Sequence, residues 1–227
     1  MHTKPLRNFS NLENANAILH GMEDCSDEFV EAFVELHQQP IDNYYKYEWL
    51  LRSIIDVIKV NPTVLYVACG TAGYSRLFKN IKRFVGLDFS KKMIEAAKKM
   101  HQNATIDFEF NCTTFENYHS AELFDIIYLG PYGHNVPYNS AVLEKAKKSL
   151  TPEGMIFCTI PAPPFKGCWH RGKALLKHFL LHGSFEYDPI KQLKKMLNHF
   201  QLEIFVTIHM KTSIGYAYCY VVKSSLT

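Results

Sequence analysis

Gly70 and Asp88 are the residues whose type and spacing first suggest chemistry. Gly70 sits in "VLYVACGTAGYS", where an apolar run gives way to small residues, and Asp88 ends the next apolar run, 18 residues further on. Small residues at a strand-to-helix turn let a ligand approach the backbone, and the free N–H groups of the following helix favour polar or anionic groups. A carboxylate at the tip of the neighbouring strand can reach both hydroxyls of a ribose bound across the crevice. Turn and acid together describe a cradle for a nucleoside.

A second set of polar groups follows a later apolar strand, in "GPYGHNVPYN". His134 is the candidate general base, because an imidazole with an unperturbed pKa of about 6.5 suits proton removal near neutrality. Tyr132 beside it is the second candidate catalytic group. Tyr138 and Asn139 close the same stretch and are candidate substrate contacts. Aromatic residues gather in "DNYYKYEWL" and "PFKGCWHRG". Tyr44 and Tyr47 fall on an apolar helical stripe and read as core. Tyr45 and Trp169, with His170, are left as the expected walls of a pocket for a flat substrate or a cation. His178 and His182 lie four apart but lack an acidic partner on their helix, so no metal site is expected.

These groups need a scaffold, and the apolar periodicity supplies one. Strands are expected at 64–68, 84–87, 105–110, 124–130 and 155–160, with helices at about 74–79, 90–100 and 140–150 between them. A "TPEG" turn is expected to lead into the strand at 155. Strands alternating with helices imply a parallel sheet covered on both faces. The rhythm breaks after a helix that starts at Asp188 and Pro189. "LEIFVTIHM" and "GYAYCYVVK" are separated by too few residues for a parallel crossover, so they must pair antiparallel. Two further helices are signalled near the start. One begins at Ser26 and is closed by Pro40, and the other carries Tyr44, Tyr47, Leu51, Ile54 and Ile58 at helical spacing.

Composition limits the function classes. With 227 residues and 47% hydrophobic content, the chain can bury one sizeable core. Its 25 basic and 22 acidic residues leave a formal charge of +3, too mild to indicate nucleic-acid binding. Lys145, Lys147 and Lys148 read as a solvated helix face. Six cysteines are scattered without a C-x-x-C pair, several inside apolar runs, which argues for a reducing compartment and against structural zinc. The first residues lack the apolar core of a signal peptide, and no apolar stretch approaches the ~18 residues of a spanning helix. A cytoplasmic location with no membrane partner is the expectation.

The sequence resembles the class I S-adenosylmethionine-dependent methyltransferases. "VLYVACGTAG" is similar to the family's first glycine motif, "VGLDFSKKMIEAAKK" to its second-strand acid and helix, and "FDIIYLGPYGHN" to its fourth strand. "LEKAKKSLTPEGMIFCTI" matches the helix, turn and fifth strand. The resemblance implies an α/β, Rossmann-like, doubly wound and mostly parallel seven-stranded sheet that ends in an antiparallel hairpin, with an N-terminal helical cap. Residues 1–60 would form the cap or lid, and 61–227 the S-adenosylmethionine-binding catalytic domain with an insertion at 161–188.

The same resemblance assigns Ala68, Cys69, Gly70, Thr71 and Gly73 to the methionine half of the cofactor and Asp88 to its ribose. Phe89 would pack by the adenine, with Cys112 and Thr113 near the adenine edge and Leu129 in the fourth-strand motif. This chain has Tyr66 where the family usually has an acid, Ala68 and Ala72 where glycines are usual, and Cys112 where an aspartate is common. The implied activity is in-line methyl transfer to a small-molecule acceptor. One alternative is an enzyme that uses the cofactor's aminocarboxypropyl arm and releases methylthioadenosine, with Tyr66 as its only foothold. Another is a nucleic-acid methyltransferase, disfavoured because "LGPYG" has a single proline and neither acid nor amide at that point.

Overall fold

The described residues form seven strands, of which those that are apolar runs without polar alternation are buried on both faces. In order they are β1 (Thr63–Val67), β2 (Arg83–Asp88), β3 (Asp107–Cys112), β4 (Phe124–Tyr128), β5 (Leu150–Pro161), β6 (Leu202–Thr212) and β7 (Gly215–Ser224). Three helices lie between them: α1 (Lys91–His101), α2 (Ser140–Lys148) and α3 (Pro189–His199). The computed structural model describes residues 27, 30, 31, 34, 61–73, 75, 80–129, 140–161, 189–212 and 215–224. Asp27, Val30, Glu31 and Val34 are helical, as expected of the helix that begins at Ser26, and Asp27 pairs with Lys92 of α1 at 2.8 Å.

The sheet has seven strands in the order β3-β2-β1-β4-β5-β7-β6. The strands from β1 to β5 pair in parallel, and β7 pairs antiparallel with both β5 and β6. Pleating then divides the core. Val64, Tyr66, Phe84, Ile126 and Tyr128 face one side, where Ile94 and Ala97 of α1 pack. Leu65, Val67, Val85, Leu87 and Ile127 face the other, against Val142, Leu143 and Ala146 of α2 and Leu197 of α3. A strand with helices on both sides has no solvated face, which is why period-two polarity is missing from β1, β2 and β4.

Two boundaries differ from the sequence expectation. β3 ends at Cys112 rather than at 110, carried on by a register that pairs Asp88 with Cys112. The "TPEG" residues form no separate turn, since β5 runs unbroken through them. Pairing with β4 jumps from Phe124↔Leu150 to Ile126↔Met155, so residues 151–154 are a bulge inside the strand. Gly154 is needed there, because a Cβ would lie 2.9 Å from both Leu150 Cδ2 and the Phe124 carbonyl.

The lysines of α2 are more than a solvated face. Lys145 Nζ donates to the carbonyls of Glu116 and Tyr118 at 2.8 and 2.6 Å and lies over the Phe115 ring, while Lys147 Nζ donates to the Phe200 carbonyl at 2.6 Å. Lys147 thereby satisfies a carbonyl at the C-terminal end of α3, and Lys145 holds the turn at 115–118.

Asp125 ties three strands together at the end of the sheet opposite Gly70. Its Oδ2 accepts from the Thr63 amide at 2.9 Å and the Thr63 hydroxyl at 3.1 Å, and its Oδ1 accepts from the Thr151 hydroxyl at 2.9 Å. Replacing Asp125 by Ala removes the shared acceptor of these donors at a partly buried site, so urea denaturation should show a loss of roughly 2 kcal/mol. A loss below about 1 kcal/mol would mean the clamp is incidental.

Candidate functional site

Chain order turns back between β1 and β4, since β2 and β3 are laid down to one side of β1 and β4 to the other. Crevices at such a switch, beyond the carboxyl ends of the strands, are where open α/β sheets bind ligands. Gly70 follows β1 at this point and Asp88 ends β2 beside it.

The two are bonded directly. Asp88 Oδ2 accepts from the Gly70 amide at 2.9 Å, and Oδ1 accepts from the Ser90 amide, also at 2.9 Å. Ser90 caps α1, its hydroxyl accepting from the Met93 amide at 3.4 Å. The carboxylate therefore sits at the N-terminal end of a helix, where negative charge is favoured. It is only 6% exposed, and burial pushes its pKa above the ordinary aspartate value against the pull of the two amides. A carboxylate has about four acceptor sites, so each oxygen keeps room for one more donor.

The turn itself is wide open in backbone terms. Ala68, Gly70 and Ala72 have φ of 55°, 54° and 54°, in the left-handed region. Ala72 donates its amide to the Cys69 carbonyl at 2.8 Å, and the Cys69 amide donates to the Leu87 carbonyl at 2.9 Å. The Cys69 thiol points away from the crevice into the core, since a Cβ on Gly86 would lie 2.9 Å from Cys69 Sγ and 2.7 Å from the Phe110 ring. Burial and the nearby Asp88 charge push that thiol's pKa well up, so it is an inert neutral group. What Cys69 offers a ligand is its backbone. Gly70, Thr71 and Gly73 are buried with it, and Ala68 is half-buried.

On the far side of Asp88, Phe89 is 38% exposed and Cys112 is exposed. Cys112 Sγ lies 3.4 Å from the Phe89 carbonyl, and the Thr113 amide donates to the Asp88 carbonyl at 2.9 Å. The fold thus gathers Ala68, Cys69, Gly70, Thr71, Gly73, Asp88, Phe89, Cys112 and Thr113 at one edge of the sheet. Leu129 continues β4, whose Tyr128 pairs with Tyr66. Its amide donates to the Phe157 carbonyl at 2.9 Å, and its side chain is buried in the core. Tyr45, Tyr132, His134, Tyr138, Asn139, Trp169 and His170 lie outside the described residues.

Tyr66 is held in an aromatic cluster beneath the turn. It is 1% exposed, with its ring 4.6 Å from Tyr128 and 6.1 Å from Phe84. Ser90 escaped the sequence reading as a site residue, although its place directly before a helical run marks a cap. Gly86 also escaped, its only signal being a glycine inside an apolar strand. Among the described residues no group of acidic, histidine or cysteine side chains is arranged to hold a metal.

Comparison with known proteins agrees with this geometry. The sequence model of a family described as a methyltransferase domain matches residues 64–154. The chain is 27% identical over 167 residues to a demethylmenaquinone methyltransferase of Staphylococcus saprophyticus, covering 62% of this chain and 70% of that protein. Among solved structures, magnesium protoporphyrin IX methyltransferase from Synechocystis, with S-adenosylhomocysteine bound, superposes with a TM-score of 0.64 at 14% identity, covering 97% of this chain and 98% of that one. An S-adenosylmethionine-dependent methyltransferase from Clostridium acetobutylicum gives 0.61 at 16% identity, with 89% and 100% covered.

Two measurements probe the turn and its acid. A left-handed alanine costs about 1–2 kcal/mol, so replacing half-buried Ala68 by Gly should raise unfolding stability by about 1 kcal/mol after the greater freedom of the unfolded glycine is counted. A loss of stability would show that φ at 68 is not strained. For Asp88 the folded pKa lies above the unfolded one, so the native state binds the proton more tightly in that window. The wild type should therefore lose stability relative to Asp88→Ala as pH rises from the ordinary aspartate value through the raised one. Urea titrations across that range that show a widening advantage for the wild type would contradict it.

Proposed function

We propose that this chain is a class I S-adenosylmethionine-dependent methyltransferase, whose reaction moves a methyl group from that cofactor to a small-molecule acceptor by in-line displacement, a reading supported by the methyltransferase-domain match and the likeness to methyltransferases. The observation that carries the reading is the buried Asp88 carboxylate, bonded to the amides of Gly70 and Ser90 with an acceptor site left on each oxygen. Two neighbouring hydroxyls, as on a ribose, are the natural donors for that pair. Phe89, exposed beside it, offers a face for the adenine, and Cys112 and Thr113 border the same edge. The backbone from Ala68 to Gly73 would hold the methionine half, its left-handed residues keeping side-chain bulk away from the ligand.

S-adenosylmethionine supplies a methyl group activated on a sulfonium, so the protein has chiefly to align the acceptor and remove a proton where the acceptor carries one. We assign proton removal to His134, with Tyr132 beside it, and acceptor contacts to Tyr45, Tyr138, Asn139, Trp169 and His170. In this reading 61–227 is the catalytic domain, with the insertion at 161–188, and 1–60 is its cap. A small-molecule acceptor is favoured by the likeness to a demethylmenaquinone methyltransferase. The likeness to methyltransferases favours methyl transfer over chemistry on the cofactor's own arm. Free thiols at Cys69 and Cys112 fit a reducing compartment such as the cytoplasm, and no helix among the described residues is long and apolar enough to cross a membrane.

Calorimetry with S-adenosylhomocysteine should show binding, weakened by about 1.5–3 kcal/mol in Asp88→Ala, which is roughly tenfold to more than a hundredfold. An unchanged affinity would place the ribose elsewhere. Incubation with S-adenosylmethionine and a panel of small acceptors should yield S-adenosylhomocysteine, and His134→Ala should slow that step by ~10²-fold. Methylthioadenosine formed above an enzyme-free control, with no S-adenosylhomocysteine under any acceptor, would overturn the methyl-transfer reading and leave the fold intact.

A further inference from the structure

His101 ends α1, and none of the chemistry assigned above uses it. Its half-buried ring stacks on Phe108 with centroids 4.6 Å apart and lies 5.6 Å from Phe110. Its Nε2 is 3.3 Å from Ser75 Oγ, and the Ser75 amide in turn donates to the Ala72 carbonyl at 2.9 Å. Ser75 is fully buried. One side chain at the far end of the helix that Asp88 starts is thus fastened to the second half of the turn that Asp88 also holds.

The chemistry suits a brace better than a plain core aromatic. Burial pushes the imidazole pKa below its ordinary value, which leaves the ring neutral near pH 7. A neutral imidazole has one donor and one acceptor, either of which a hydroxyl can complement. Ala72 in turn needs external support. Left-handed backbone at a residue with a side chain persists only where the surroundings over-determine it, and among the described residues the backbone bonds of Ala72 itself, to Cys69 and from Ser75, are short-range.

We propose that His101 is a positioning residue for the cofactor turn, holding the Ser75 hydroxyl and, through the Ser75 amide, the Ala72 carbonyl, so that the segment after Gly70 stays open to its ligand. The proposal rests on the reading that this turn binds S-adenosylmethionine. It assigns His101 no contact with cofactor or acceptor.

Two variants separate bonding from packing. His101→Phe keeps a ring to stack on Phe108 but removes the polar contacts, and His101→Gln restores a side-chain donor and acceptor. In ligand-free protein, hydrogen exchange at the Ala72 and Ser75 amides should be at least ten times faster in His101→Phe, with the β1 amides unchanged, and slowed back toward wild type in His101→Gln. S-adenosylhomocysteine affinity measured by calorimetry should fall at least fivefold in His101→Phe and recover in His101→Gln. The proposal is overturned if His101→Phe matches wild type in both readouts, if His101→Gln is as impaired as His101→Phe, or if faster exchange spreads equally through β1. Exchange is read without ligand, so a wild type that binds no S-adenosylhomocysteine while the loop still responds would sink the cofactor reading and retain the brace.

Discussion

The Asp88 carboxylate is the point on which the rest of the arrangement depends. It joins three pieces of chain: the turn after β1 through the Gly70 amide, the end of β2, and the start of α1 through the Ser90 amide. Its burial disfavours the charge, as the raised pKa shows, yet the two amides and the helix terminus make a charged acceptor tolerable in that position. A neutral side chain of the same shape could satisfy only one of the two amides, because an amide group has a single acceptor atom. The turn and the helix are therefore aligned by the same group that is left with acceptor capacity for a ligand.

The two ends of the sheet are built on different terms. At the end opposite Gly70, Asp125 is occupied by Thr63 and Thr151, while Arg83 forks toward Asp107, Glu109 and Glu122, the last at 3.2 Å. Those carboxylates raise the guanidinium pKa further still, but the side chains are partly solvated, so the network adds little to stability. Its effect is on register, because it pins β2 against β3 at the first pair. From there the ladder runs without a slip to Asp88 and Cys112, which brings Phe89 and Cys112 together.

Much of this was legible in the residues. The glycine turn, the acid 18 positions later, the strand order's antiparallel finish and the helices around Ile94 and Val142 follow from apolar periodicity and turn chemistry, which act over a few residues. What escaped reading was set by contacts distant in sequence. Lys145 looks like any surface lysine until the Glu116 and Tyr118 carbonyls are placed beneath it, 29 and 27 residues back. His101 looks like a basic residue in a last helical turn until Ser75 is brought to it across 26 residues. The bulge at 151–154 depends on the Phe124 carbonyl, which no local signal reveals.

The alanines at 68 and 72 connect the turn to the core beneath it. Ala72 is fully buried among Tyr66, Cys69, Phe84 and Phe110, on the same face where a tyrosine replaces the usual acid of β1. A glycine at 72 would relieve about 1–2 kcal/mol of left-handed strain. It would also give up the burial of one methyl, about 0.8 kcal/mol, and the stiffer unfolded chain, about 0.4–1 kcal/mol. The terms nearly cancel at 72. At half-buried Ala68 the methyl contributes less, and strain prevails. An apolar, aromatic face extended up to the turn thus explains how an alanine is held where the backbone favours glycine, and why that hold is weaker at 68 than at 72.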